Sequence, residues 1–299
     1  MSRAGAYVLL FVGLLLVSTS GPFLIEARMD AYAVAFWRMA ATAVAFFVWG
    51  LATGQLGFRG ARLGRIAIGG VLLGAHLALW VKAFDLTDYA SNLLLLVVQP
   101  VMAALAGARL GERATKATWL SVGIAGVGLA IIAGGDISLG PRALLGDAIS
   151  VIGSIGITVF YAITRDERRA MPLPGFMAVA MGAGAVAVLP VVLLTHSRLT
   201  GYPDVSWAWM TALVLITTVA GHGTMNFVAR HVKLFTLNVV IVLEPALGVA
   251  IGWPLFGARM TAVQLAGGLV LTVAVVIGLL PEWSQRGEAP SVAELDGVQ

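Results

Sequence analysis

Apolar residues run through this sequence in long blocks separated by short polar links, without the strict alternation that marks a half-buried strand. Each block holds roughly 17 to 25 residues, the length that carries a helix across the hydrocarbon of a bilayer. Ten such spans are read, at about residues 4–24, 31–52, 66–84, 90–109, 117–134, 143–163, 175–195, 207–228, 236–256 and 262–281. Gly21, Pro22, Glu26, Arg28 and Asp30 blur the turn between the first two. Arg3, the apolar stretch after it and the small residues Ser18 to Ser20 also have the look of a signal peptide. Cleavage there would leave nine helices and break the repeat described below, so the segment is kept as a helix.

Composition sharpens this into an all-α polytopic membrane protein. Of the 299 residues 59% are hydrophobic and 11% charged, where a soluble domain carries about 25% charged residues. Mean hydropathy is +0.94. The 36 glycines suit helices packed closely in lipid, and the ~10-residue alternating segments of a membrane barrel are missing. The chain has no cysteine, no phosphate-binding glycine loop, no paired carboxylates and no metal-ligand spacing, so neither a cofactor nor a metal is expected, nor coupling to ATP or enzyme chemistry. The net charge of +4 sits mostly in short links and speaks to orientation, not to nucleic acid. One set of links and termini holds thirteen Lys and Arg and the other five, which predicts cytoplasmic termini at both ends. Trp207 and Trp209 open the eighth span at its outer end and Trp283 can anchor the last at the inner face. Residues 282–299 read as a disordered cytoplasmic tail.

A shift of 146 residues pairs "GAHLALW" (Gly74 to Trp80) with "AGHGTMN" (Ala220 to Asn226), His76 with His222, Asn92 with Asn238, and "LGERAT" with "FGARMT". A shift of 145 pairs Gln99-Pro100 with Glu244-Pro245 and Gly107 with Gly252. The repeat predicts two five-span units, residues 1–138 and 139–281. An odd number of spans in each requires opposite orientation in the membrane, a plan recurrent among secondary transporters with a midplane site between the halves.

On these features, and on "LLLLVVQPVMAALAGARLGERAT" (Leu93 to Thr115) with its partner "VVIVLEPALGVAIGWPLFGARMT" (Val239 to Thr261), the sequence resembles the drug/metabolite transporter superfamily, in particular its ten-helix EamA-type exporters. Within that group it is most similar to YddG-like amino acid exporters. The family's gly-glu pair stands as Gly111-Glu112 in the first half, whereas the second half has Gly257-Ala258. The resemblance implies two inverted halves around a central cavity lined mainly by spans 1, 3, 4, 6, 8 and 9. It would place His76, Trp80, Gln99, Tyr161, His222, Asn226 and Glu244 on cavity-lining helices, with Arg38 on the second.

Ionisable groups inside the hydrocarbon are the main functional signal, because each costs about 2.5 to 3.5 kcal/mol even on the mild insertion scale. Glu244 falls near the midplane in a run of Val, Ile, Leu, Ala and Gly. It reads either as a proton site or counter-charge for a substrate amine, or as a side chain bonded to the backbone that Pro245 frees. His222 and Asn226, like His76 and Trp80, are four apart and share a helical face. The histidines are candidates for donors to a carboxylate or for proton carriers, against a bland role bonding across helix interfaces. Trp80 and Tyr161 offer stacking faces or ordinary packing. Arg38 reads either as a binder of a carboxylate or, the preferred reading, as the partner of Glu26 or Asp30 near the outer surface, Trp37 as meeting lipid, and Lys82 as snorkelling. Gly70-xxx-Gly74 and Gly248-xxx-Gly252 read as close helix contacts.

The resulting expectation is a monomer, with a dimer as the alternative, in the cell inner membrane. It would be a secondary exporter of aromatic and other neutral or large amino acids by alternating access. Glu244 or Gln99 would take the amine, His76 or His222 with Asn226 the carboxylate, and Trp80 with Tyr161 the apolar wall, with Glu244 and His222 as proton-coupling candidates. The alternatives are an exporter of lipophilic cations or another metabolite and, more remotely, a membrane-embedded enzyme or receptor.

Overall fold

Lipid offers no hydrogen bonds, so a backbone that crosses it must satisfy its own. The computed structural model does this with helices alone among the described residues, which are 3–59, 61–87, 92, 95, 98–109, 111, 114–133, 140–256 and 262–284. Seven stretches are long and apolar enough to span a membrane: Ala4–Ala27, Ala31–Thr53, Leu63–Ala83, Pro141–Ile163, Leu173–Leu194, Asp204–Val228 and Leu234–Gly252. Val98–Gly107 and Leu265–Leu280 are shorter apolar helices. Most of the predicted start of the fourth span, together with Glu112, Gly257, Ala258 and the tail from residue 285, lies outside the described residues.

Three of the seven are not continuous helices. The first is α1 (Arg3–Val17) followed by α2 (Ser20–Ala27). Then come α3 (Ala31–Thr53), α4 (Leu63–Ala83), α5 (Val98–Arg109), α6 (Lys116–Ala133), α7 (Pro141–Ile163), the short α8 (Arg165–Ala170) and α9 (Leu173–Leu194). The next span is α10 (Asp204–Ala212), a π-helical stretch (Leu213–His222) and α11 (Gly223–Val228). The last broken one is α12 (Leu234–Ile241) and α13 (Glu244–Phe256), and α14 (Ala262–Ser284) closes the chain.

Local chemistry accounts for the ends. Gly54 closes α3 at φ 66° and gives its N–H to the carbonyls of Gly50 and Leu51, a conformation that costs a glycine little. Pro141 opens α7, where its missing N–H has no helical partner to lose.

The bundle is apolar outside and buries polar side chains within an apolar core. Val8, Val44, Val186 and Leu194 are more than 60% exposed, while Thr42, Asn92, Thr217, Thr218 and Asn238 are fully buried. An outer face of this kind is stable against lipid and not against water, so the chain is a multi-pass membrane protein.

α9 lies between α3 and α4, α7 covers another side of α4, and α6 pairs with α14. The contact of α4 with α9 is backbone on backbone. A Cβ built on Gly70 would stand 2.2 Å from the Ala180 carbonyl oxygen, and one on Gly74 would stand 2.7 Å from that of Gly184. Gly248 likewise approaches the Ser18 carbonyl, at 3.1 Å. Since a backbone cannot swing aside like a side chain, Gly70→Ala should cost about 1–3 kcal/mol or more. Thermal unfolding in detergent would measure this against Gly64→Ala in the same helix, where a Cβ meets nothing within 4 Å and stability should hold or rise.

Candidate functional site

The three helix breaks converge on one cavity. Its lining includes Ser18, Ser20 and Gly21 from the first break, His222 from the end of the π-helical stretch and Glu244 with Ile241 from the third. α3 adds Arg38, α4 adds His76 and Trp80, α5 adds Gln99 and α7 adds Tyr161. A broken helix exposes polar backbone that is tolerated at membrane depth only where it lines a cavity or is buried in protein. At the third break Pro245 has no N–H to give to the Ile241 carbonyl four residues earlier. The chain resumes as α13 with Glu244 as its first residue, so the carboxylate sits at a helix N-terminus where the dipole favours negative charge.

Arg38 is the centre of this arrangement. It is 1% exposed, and its guanidinium donates from Nε to Thr218 Oγ1 at 2.8 Å, from one terminal nitrogen to Ser20 Oγ at 3.1 Å and from the other to His222 Nε2 at 3.0 Å. All three partners are neutral, and they tie the first break to the π-helical stretch. A guanidinium carries five N–H donors, which leaves two beyond these three bonds. The ion pairs among the described residues are Arg28 with Glu26, Arg65 with Glu167, and Lys82 with Asp85. The expected pairing of Arg38 with Glu26 or Asp30 is therefore wrong. Arg28 takes Glu26 at 3.9 Å, and Asp30 accepts the Arg198 backbone N–H at 2.8 Å. The carboxylate that shares Arg38's cavity is Glu244.

Each histidine has a defined role in hydrogen bonding. A guanidinium only donates, so His222 Nε2 is a lone-pair acceptor and the ring is neutral while that bond stands. A carbonyl only accepts, so His76 Nδ1 donates to the Gly153 carbonyl at 2.9 Å and a neutral ring keeps Nε2 as an acceptor. At Gln99, 2% exposed, the amide oxygen has no partner among the described residues. The side chain of Glu244 is partly exposed, and it lines the cavity instead of closing onto the backbone that Pro245 frees.

Six of the seven expected site residues line this cavity; Asn226 does not. Its Nδ2 donates to the His222 carbonyl at 2.9 Å, so the amide turns back along its own helix. Trp37 is partly exposed; its indole donates to the Leu199 carbonyl at 2.8 Å and meets the Trp207 ring edge-on at 5.5 Å. Lys82 is held by Asp85 at 2.8 Å.

The aromatic wall is fixed from behind. Trp80 meets Phe84 edge-on at 4.9 Å. Below Tyr161, Arg168 on α8 donates to Thr164 Oγ1 and to the Tyr161 carbonyl and lies 5.0 Å from the Tyr161 ring. Burial lowers the Arg168 guanidinium to about 10, so it stays charged at neutral pH. Its neighbour Glu167 pairs with Arg65 on α4 at 3.3 Å, joining α4 and α8 beneath the cavity. Trp80 with Phe84 and Thr164 with Arg168 follow the i,i+4 spacing of a helix, whereas the pairing of Glu167 with Arg65 has no signal in the spacing of the sequence.

The cavity encloses about 50 Å³, room for a few waters at about 10–15 Å³ each. The walls must part before a side chain as large as an aromatic ring can enter.

Together these features define a multi-pass membrane protein with a charge-bearing cavity between broken helices. The chain belongs to the EamA-like transporter family, which matches it twice, over residues 4–134 and 144–280. An uncharacterized transporter of Archaeoglobus fulgidus is 24% identical over 202 residues, 67% of this chain and 70% of that protein. A solved crystal structure shares the fold, with a TM-score of 0.80 over 96% of this chain and 100% of the other at 17% identity.

Proposed function

We propose that this transporter is a secondary exporter of amino acids, aromatic and other neutral or large ones among them. It lies in the cell inner membrane with both termini in the cytoplasm and works as a monomer. In this reading it has ten spans in two inverted halves, residues 1–138 and 139–281, which rock about the cavity. The two family matches and the pairing of Gln99-Pro100 with Glu244-Pro245 support that division.

The observation that carries the substrate is the charge of the cavity. It holds one guanidinium bonded only to neutral groups and one carboxylate, with the neutral His222 imidazole, His76 and an aromatic wall. A zwitterion matches both signs at once. Arg38 takes the carboxylate through its remaining N–H donors. Glu244 takes the amine, with the Gln99 amide oxygen in the same lining as a neutral acceptor. Trp80 and Tyr161 meet the side chain. This puts Arg38 ahead of His222 and Asn226 as the carboxylate donor, since a neutral His222 whose Nε2 accepts from Arg38 has only its Nδ1–H to give and Asn226 stands outside the lining. A lipophilic cation would find Glu244 but would also face a buried guanidinium, and like charges brought together in a water-poor site repel strongly.

Flux from proteoliposomes loaded with a panel of amino acids is the direct test, with and without a pH gradient. Phenylalanine and leucine should move, while phenylalaninamide and N-acetylphenylalanine, which each lack one charge, should move at least about tenfold more slowly, a difference of about 1.4 kcal/mol. Flux of another metabolite with none for any amino acid would overturn the proposal.

A further inference from the structure

α7 carries a polar stripe of which the transport cavity uses only the inner end. Asp147, Ser150, Ser154, Thr158 and Tyr161 follow one another at steps of three or four residues and so share one helical face. That face turns inward: Asp147 is partly exposed, Ser150 and Ser154 are fully buried, and Tyr161 lines the cavity. Three spans separate Ala4 from Ala83. The end of α4, to which Arg142 bonds through the Asp85 carbonyl at 2.8 Å, therefore lies opposite the N-terminus, on the outer side in the orientation proposed above. Asp147 stands near this end, and Ser154 lies about 10 Å deeper at 1.5 Å per residue.

The hydrogen bonds of this stripe are unlike those of the other buried hydroxyls. Ser18, Thr42 and Thr164 each donate to the carbonyl one turn back, of Leu14, Arg38 and Phe160, the usual way to satisfy a hydroxyl inside a helix. Ser150 instead donates to Asn92 Oδ1 in the fourth predicted span. Thr87, just past α4, donates to Asp147 Oδ1 at 2.6 Å. Ser154 Oγ, Asn92 Nδ2 and Gln99 Oε1 are buried without a partner among the described residues. Buried polar atoms without a protein partner are the ones that ordered water bonds in folded proteins.

Close packing does not call for these hydroxyls. Gly146 already brings α7 onto the end of α4, where a Cβ would stand 2.8 Å from the Thr87 backbone nitrogen. At its inner end the stripe reaches the cavity. The carbonyl of Gly153, the residue before Ser154, accepts from His76 Nδ1 at 2.9 Å, and His76 lines the cavity together with Gln99 and Tyr161.

We infer that this stripe is the route by which protons reach the transport cavity from the outer surface, with Asp147 as the entry group. The inference rests on the reading of the cavity as a transport site and not on which substrate it takes. Thr87 holds one oxygen of the Asp147 carboxylate, and the other takes a proton from outer water. The hydroxyls of Ser150 and Ser154 each accept one proton as they give up another, and so pass it inward through bridging water. His76 Nε2 or the Glu244 carboxylate then takes it in the cavity, in keeping with the proton relays that ionisable groups form inside membranes. Among the described residues, the other charged groups at the outer end are Lys82, Asp85 and Arg142, with Lys82 bonded to the Asp85 carboxylate and Arg142 to its carbonyl. In the cavity, Arg38, His222 and Tyr161 accompany the two acceptors.

The chain has no cysteine, so Ser154→Cys introduces a single thiol whose access can be read with silver ion in detergent, the unreacted thiol being counted by maleimide labelling. Ser121→Cys is the control, because Ser121 is equally buried but donates to the Ala274 carbonyl at 2.7 Å. The route predicts that the Ser154→Cys thiol reacts well ahead of the control. Adding Asp147→Asn should slow it at least about threefold, the effect on a cation of losing a Coulomb energy near RT at the mouth. Asparagine keeps an oxygen for Thr87, so the fold should hold. In proteoliposomes holding a pH dye, the proton movement that accompanies phenylalanine should fall at least about tenfold in Asp147→Asn and return in Asp147→Glu. Phenylalanine exchange at equal concentrations, and its ratio to phenylalaninamide, should stay as in the unaltered protein. The inference is overturned by a Ser154→Cys thiol no more reactive than the control, by phenylalanine flux that moves no proton in the unaltered protein, or by proton movement undiminished in Asp147→Asn. If no phenylalanine moves at all, the amino acid reading fails instead, and the silver rates with and without Asp147→Asn decide the route.

Discussion

Arg38→Leu is expected to abolish the distinction between phenylalanine and phenylalaninamide and to lower phenylalanine flux by on the order of a hundredfold. A buried charge-assisted pair lost at one partner costs about 2–5 kcal/mol, of which about 2.7 is a hundredfold. The guanidinium also holds Thr218, Ser20 and His222 at 2.8 to 3.1 Å, and each buried group left unsatisfied costs about 1–3 kcal/mol more. Leucine therefore weakens the protein as well, which is why the ratio of the two fluxes is the decisive reading: it does not depend on how much protein is folded. Arg38→Lys keeps the charge but not the fork, and should retain part of the ratio. A ratio unchanged in Arg38→Leu would show that the substrate carboxylate binds elsewhere, and would leave Arg38 as a brace between two helix breaks.

Seven of the ten spans read from the sequence recur as helices long and apolar enough to cross a membrane among the described residues, because hydrocarbon imposes both a length and an apolar composition on each. The breaks were not legible in the sequence, although their residues are conspicuous. "STSGP" at Ser18 to Pro22 and "EP" at Glu244-Pro245 sit inside windows apolar enough to read as continuous, and hydropathy averages over a two-residue interruption. The π-helical stretch from Leu213 to His222 has no composition of its own, and it changes which residues share a face. Six cavity residues stand out because the family resemblance implies which helices line the cavity, and because ionisable groups such as His76, His222 and Glu244 are rare inside a membrane. Arg38 stands out in the sequence, but its partners do not. The nearest carboxylates along the chain are Glu26 and Asp30, whereas the groups that hold it include Thr218 and His222, 180 and 184 residues away. Asn226 stands outside the lining for the opposite reason. Spacing placed it beside His222, but a short amide one turn on from a backbone carbonyl can bond to that carbonyl and turn from the cavity.

Glu244→Gln is the complementary experiment, because it would make the two halves match at the place where Gln99 precedes Pro100. The substitution preserves shape and removes only the charge and the exchangeable proton. Phenylalanine flux should fall by about a hundredfold, the same 2–5 kcal/mol range that applies at Arg38. N-acetylphenylalanine, an anion without an amine charge, should gain relative to phenylalanine, since the cavity would then carry an uncompensated guanidinium. Any part of the flux–pH profile that belongs to this carboxylate should disappear. The two variants thus move discrimination in opposite directions, one at each end of the zwitterion, which general damage to the protein would not do. If flux, selectivity and pH profile all survive in Glu244→Gln, the carboxylate is scaffold at a helix N-terminus. The proton, if one is carried, would then fall to His76 and not to His222: protonating His222 Nε2 would break its bond to Arg38 and set two cations about 3.0 Å apart, whereas His76 can take a proton on Nε2 while Nδ1 keeps its bond to the Gly153 carbonyl.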